Sequence, residues 1–250
     1  MPEPPGLFRY VYAIIPQTEC GDWEVAGISD HGVFNLSSGA LTAVVSAVDT
    51  DRVRPERRHL AAHQRVLKHL LDRVTLLPFA FGTIVANEVE LRRLLDMHRL
   101  AFLGQLDRLR GRAEMSLRVR WDVPNIFEFF VRHHEDLRDL RDSIFRGERT
   151  PSADEKIEIG RSFERILEDD RRKHADQVME ILESYCAEII TTPCRKEQEV
   201  MNLACLVRKS GLEAFEEGVR NAARQFDNNF AFDFSGPWAP YSFVKMEPGI

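Results

Sequence analysis

The sequence predicts an α+β fold: two tandem ferredoxin-like units, each a split βαβ arrangement, joined by helices and followed by an extended C-terminal tail. The chain has 250 residues, more than a single domain usually holds. Met115 to Val123 alternates apolar and polar residues strictly, as a strand with one buried and one wet face does. The order strand, connection, hairpin, helix, strand can also be traced twice, over residues 1–86 and again over residues 113–235.

In the first unit, Leu7 to Ile15 is an apolar and aromatic run ended by Pro16, which suits a central strand. Gly21 to Asp30 is too polar and too Gly-broken for a long helix, so the first crossover is short. Val33–Leu36 and Ala40–Val48 flank the turn-forming Ser37-Ser38-Gly39 and read as a hairpin. Pro55 sits at the start of a helix on which Leu60, Val66, Leu67, Leu70 and Leu71 recur on one side. Thr75 to Phe81 is then the closing strand. A linking helix fills residues 87–112, opened by Asn87 with Glu90 as a variant capping box and stopped by Gly111.

The second unit follows the alternating strand with helices. Asn125 with Glu128, and Ser152 with Glu155 behind Pro151, mark two helix starts. Phe163, Ile166, Leu167, Val178, Ile181, Leu182 and Tyr185 give the second of these an apolar stripe, so a long helix is expected over residues 152–186. Strands at Glu188–Thr192 and Met201–Arg208, a helix opened by a Ser210-x-x-Glu213 capping box, and a strand at Phe230–Ser235 complete the unit. Residues 236–250 form the tail, rich in proline and aromatic residues.

Lys and Arg number 34 against 40 Asp and Glu, a net charge of −6, and no basic cluster is free of interleaved acids, which argues against a nucleic-acid or anionic-membrane binder. Cys20, Cys186, Cys194 and Cys205 form no CxxC pair and fit a reducing compartment. The start Met1-Pro2-Glu3-Pro4-Pro5-Gly6 is not that of a signal peptide, and no apolar run approaches the ~20 residues that span a bilayer. The expected location is therefore cytoplasmic.

Catalysis needs a nucleophile with its base, paired carboxylates, a metal cage or a phosphate cradle. GxGxxG, GxxxxGK[ST], GxSxG and HExxH are all missing from the sequence. His59 and His63 lie four apart on a helix, but Arg57, Arg58 and Arg65 surround them, so a solvated helix face is expected rather than a metal site. His133-His134-Glu135 cannot converge on one ion, because neighbouring helical residues point about 100° apart. Cys186 and Cys205 sit in apolar runs, as small hydrophobes do. Acid-rich segments such as 154–158 and 164–172 have mixed signs at helical spacing and read as solvated faces. No catalytic, cofactor or metal residues are expected.

Two segments carry a family resemblance. Leu76-Leu77-Pro78-Phe79-Ala80-Phe81-Gly82-Thr83-Ile84-Val85 contains a Leu-Pro-x-x-Phe-Gly-Thr pattern, and Gly236-Pro237-Trp238-Ala239-Pro240-Tyr241-Ser242-Phe243-Val244 is similar to a Gly-Pro-Trp-Pro-Pro-Tyr-Ser-Phe ending, with Ala239 in place of a proline. Both resemble the gas vesicle protein F/L family, as do Tyr10–Ile15 and Asn202–Val207. The resemblance implies a non-enzymatic accessory protein of gas vesicle assembly. It would be cytoplasmic and associated with gas vesicles, with the main shell protein and other gas vesicle accessory proteins as partners and neither nucleic acid nor lipid membrane among them. Trp238, Tyr241 and Phe243 supply anchor surfaces of the kind common at interface hot spots and are the candidate partner-binding residues. Pro78, Phe81, Gly82, Thr83, Gly236, Pro237 and Pro240 are expected to be scaffold, and the tail to cap the second unit. The alternative reading is an enzyme or small-ligand-binding protein on ferredoxin-like domains, since that fold hosts many functions.

Overall fold

A computed structural model of the chain describes residues 8–146 and 150–245, so the expectations for residues 1–7 and for tail residues 246–250 fall outside the described residues. The described residues form a mixed α/β fold with two antiparallel sheets and seven α-helices. They divide into two compact units. The first holds residues 8–115, 206–210 and 236–245, and the second residues 116–146, 150–205 and 211–235. This division differs from the expected one, because the helices within 87–112 and the described tail belong to the first unit.

The first sheet is built on β1 (Phe8–Pro16), buried from Arg9 to Ile15 and flanked by antiparallel neighbours. The hairpin β2 (Phe34–Ser38) and β3 (Leu41–Val48) turns at Gly39, whose φ of 58° suits glycine, and β3 is buried along its whole length. The register of β1 on β3 slips between Val11 and Ala13, leaving Tyr12 as the extra residue of a bulge. Its carbonyl is taken by the Phe79 N–H at 2.9 Å. The expected closing strand is reduced to β4 (Leu77–Pro78), and a further short strand, β5 (Ile84–Val85), also pairs with β1. The sheet order is β2-β3-β1-β4. Two 3-10 turns, Gln17–Glu19 and Ile28–Asp30, replace the first crossover helix.

Helix α1 (Arg57–Leu71) buries Ala62, His63, Val66, Leu67, Leu70 and Leu71 against the sheet, while Leu60 stays exposed. The expected linking helix is broken at His98 into α2 (Glu88–Met97) and α3 (Arg99–Leu109); Asn87 caps α2 by accepting the Glu90 N–H.

The second sheet has the order β7-β8-β6-β9, from β6 (Arg112–Trp121), β7 (Glu188–Thr192), β8 (Glu199–Arg208) and β9 (Phe230–Trp238). The segment after Asn125 is two helices, α4 (Ile126–His133) and α5 (Glu135–Ile144). The long helix α6 (Ala153–Leu182) starts on the expected capping box, with Ser152 and Glu155 bonded reciprocally. Helix α7 (Leu212–Ala223) does not use the expected Ser210 box: a 3-10 turn, Lys209–Gly211, precedes it and Gly211 is the cap. In the second unit's core, Trp121 packs edge-on to Phe130 with ring centroids 5.1 Å apart.

Candidate functional site

Within the first unit, the two motif segments, more than 150 residues apart in sequence, meet around a buried chain of hydrogen bonds. Tyr10 and Tyr12 come from β1, with ring centroids 4.9 Å apart, and α1 lays His63 against both. His63 is 1% exposed. Its Nδ1 lies 2.9 Å from the Tyr10 hydroxyl and its Nε2 lies 2.7 Å from the Tyr241 hydroxyl. The Tyr10 oxygen also accepts the Gly82 N–H at 3.1 Å, so its own proton has Nδ1 as its acceptor. That assigns His63 the neutral tautomer protonated at Nε2, which donates to Tyr241. Phe81 closes the cluster edge-on, with its centroid 5.7 Å from the His63 ring. Burial drives the His63 pKa down to about 4, against an opposing pull from the Phe79 carbonyl, and burial pushes the Tyr10 and Tyr241 hydroxyls up. The imidazole is therefore a neutral bridge at ordinary pH.

Beside it, Tyr12 donates to the Ser46 Oγ at 3.0 Å and accepts the Ile28 N–H at 2.8 Å, while Ser46 donates to the Gly32 carbonyl. All these buried polar groups are partnered, as burial requires.

The tail reaches this cluster along a constrained path. Gly236 has φ of 138°, and a Cβ there would lie 2.6 Å from Met115 Sδ and 2.9 Å from the Glu114 carbonyl oxygen, so only glycine fits. The 3-10 turn Tyr241–Phe243 is seated by the Glu114 carboxylate, which accepts the Ser242 N–H and hydroxyl, each at 2.8 Å. Burial raises the Glu114 pKa and the two Ser242 bonds oppose that rise. Phe243 is 1% exposed, its carbonyl takes a hydrogen bond from Arg108, and Gln105 brackets Lys245 on both backbone groups. The described tail thus caps the first unit, not the second as expected.

The remaining motif residues are spread around this core. Pro78 pairs with Ala13, Thr83 accepts the Val11 N–H at 2.9 Å, Gly82 has φ of 89°, and Pro240 is buried while Pro237 is exposed. Of the three candidate anchors, Phe243 is core, Tyr241 is half-buried and Trp238 is 44% exposed.

The solvated-face expectation for His59 and His63 holds for His59, whose Nδ1 meets the Arg54 carbonyl at the surface, and fails for His63. Its signal was its spacing: His63 precedes Val66, Leu67 and Leu70 on the apolar stripe. Tyr10, Tyr12, Ser46, Glu114 and Ser242 were also not anticipated, although two hydroxyl-bearing rings two apart in a buried strand demand partners. His133 turns to the Phe129 carbonyl and His134 to Asp170 at 3.1 Å, so the triplet does not converge. Cys205 is buried, Cys186 and Cys194 are intermediate, and Cys20 is exposed.

The family model described as "Gas vesicle synthesis protein GvpL/GvpF" matches residues 8–245, nearly the whole chain. The chain belongs to the GvpL/GvpF family. Gas vesicle protein F of a Nostoc species is 25% identical over 95% of this chain and 98% of its own length. Gas vesicle protein F of a Streptomyces species is 26% identical over 96% of this chain and 100% of its own. Gas vesicle protein L1 of Halobacterium salinarum is 24% identical over 94% and 90%. The crystal structure of GvpF from an Anabaena species shares the fold, with a TM-score of 0.81, 24% identity, and coverage of 97% of this chain and 100% of that one. This GvpL/GvpF chain is thus of a family involved in gas vesicle formation, and these relatives are named as gas vesicle proteins rather than enzymes. Among its described residues, no helix is long and apolar enough to cross a membrane.

Proposed function

We propose that this GvpL/GvpF chain works without catalysis, by binding the hydrophobic main shell protein as a nucleation or chaperone-like factor, or as a minor shell component. In this reading it acts in the cytoplasm at the growing vesicle, alongside other gas vesicle accessory proteins. The observation that carries the proposal is the uneven fate of the tail aromatics: Tyr241 and Phe243 are drawn into the unit, while Trp238 keeps 44% of its surface exposed. A large amphipathic ring on a backbone already fixed by Glu114 and His63 loses little entropy on binding, which is how hot-spot anchors gain affinity. The scaffold role falls to Pro78, Phe81, Gly82, Thr83, Gly236, Pro237 and Pro240.

We also propose that the fold is two tandem ferredoxin-like units. This reading is supported by the matching orders β2-β3-β1-β4 and β7-β8-β6-β9, with α1 and α7 at corresponding points between the third and fourth strands of each set.

Capture of purified shell protein by wild type and by Trp238→Ala tests the function. Trp238→Ala is expected to reduce capture about tenfold or more with an unchanged melting temperature. Full capture by that variant would overturn Trp238 as the anchor, and failure of the wild type to capture shell protein would overturn the choice of partner.

A further inference from the structure

We propose that the outward face of α2 and α3 is a docking surface for an amphipathic helix of another protein whose apolar stripe is flanked by carboxylates. In α2, positions 89, 93 and 97 fall within about 80° of one another, and in α3 positions 100 and 104 fall within about 40°; each set lies opposite the buried residues of its own helix, and together they form the outward stripe of the pair. Val89, Met97 and Leu100 on this stripe are 77%, 64% and 82% exposed. They are the three most exposed large apolar side chains among the described residues. The opposite side is conventional, with Leu91, Leu95, Phe102, Leu106 and Leu109 buried. One exposed leucine needs no explanation, but three aligned in this way do.

The charges around the stripe select the partner. The neighbouring acids are mostly engaged: Glu88 by Arg9 at 2.9 Å and Arg92 at 3.9 Å, Asp96 by the Ser38 hydroxyl at 2.7 Å, and Asp107 by Arg110 at 3.5 Å. Glu90 lies in the first turn of α2, where the helix terminus favours an anion. Arg93, within the stripe, and Arg99, beside Leu100, are exposed and make no ion pair among the described residues. The residual sign next to the apolar side chains is therefore positive, and carboxylates on the partner complement it. Exposed Gly104 adds room, since a Cβ there would meet nothing within 4 Å. A partner helix can approach α3 closely at that point.

The proposal stands whatever Trp238 binds, and synthetic probes test it with the full chain. One probe is an amphipathic helical peptide with a leucine stripe flanked by Glu; its counterpart carries Lys at the flanking positions. Fluorescence anisotropy should show the Glu peptide binding at least about tenfold more tightly than the Lys peptide. Leu100→Glu should reduce that binding by a similar factor, and Arg93→Glu with Arg99→Glu should invert the preference. Gly104→Gln should weaken binding without lowering the melting temperature, because the site is open and glutamine is the better helix former. Equal binding of the two peptides, no binding at about 100 μM, or binding untouched by Leu100→Glu would overturn the proposal. A dimer in sedimentation that Leu100→Glu dissociates would also overturn it, by making a second copy the occupant.

Discussion

In the first unit the tail is held by Tyr10, His63 and Glu114, all buried, whereas in the second unit the 193–198 loop is held largely by Arg171, whose side chain keeps 15% exposure. Arg171 donates to the carbonyls of Glu199 at 2.8 Å, Lys196 at 2.9 Å and Glu197 at 3.0 Å. Glu199 accepts the Arg195 N–H at 2.7 Å and Asn202 at 3.0 Å. Each device fastens an irregular segment through its polar groups. Water can replace much of the Arg171 clamp, so losing it costs little, but His63 and Tyr10 are fully buried, so a polar group left there without a partner bears its desolvation cost. The device that fixes the tail is thus the stronger and the more dependent on protonation.

The largest effect should come from the tail's entry. Gly236→Val forces a side chain into the space of Met115 and the Glu114 carbonyl at a φ that valine does not adopt, and should cost roughly 3 kcal/mol or more in urea unfolding. A loss below about 1 kcal/mol would mean that the tail can detach without consequence for the unit.

His63→Leu comes next. It removes the acceptor of the buried Tyr10 proton and the donor to Tyr241, and should cost about 2–4 kcal/mol at pH 7. The same residue gives a pH signature. Its folded pKa, about 4, lies below the ordinary histidine value of 6.5, so between these values the unfolded chain binds more protons. The stabilisation is complete above pH 6.5 and is lost as pH falls towards 4, by up to about 3 kcal/mol. Wild type minus His63→Leu should show this slope, and a flat difference would remove the buried neutral bridge from the explanation.

Arg171→Ala should cost only about 1 kcal/mol, with faster amide exchange confined to the 193–198 loop. A cost equal to that of His63→Leu would erase the contrast between the two devices. The smallest effect belongs to exposed pairs such as Arg220 with Glu217, where Glu217→Ala should leave the urea-unfolding midpoint unchanged within error.

The parts of the fold that were legible in the sequence are those fixed by local chemistry. The β2–β3 hairpin follows from Gly39, the start of α6 from Ser152 and Glu155, and the strand β6 from its alternation. Local signals misled where a longer-range or competing geometry won. Ser210 and Glu213 have capping-box spacing, yet the 3-10 turn at Lys209–Gly211 puts Gly211 at the cap. Arg57, Arg58 and Arg65 made the start of α1 look wet, but they are exposed while His63 lies on the buried side. Of the site, the motif residues were legible by resemblance, and their meeting point was not. The bond from His63 to Tyr241 spans 178 residues, and no local propensity encodes a contact of that range.

The most direct measurement is a nitrogen-15 titration of the His63 ring by NMR. A neutral imidazole protonated at Nε2, unchanged from pH 8 through 6 and titrating only near about 4, is the predicted result. A ring that exchanges between tautomers and titrates near the ordinary value of 6.5 would contradict the buried bridge that joins the two motif segments.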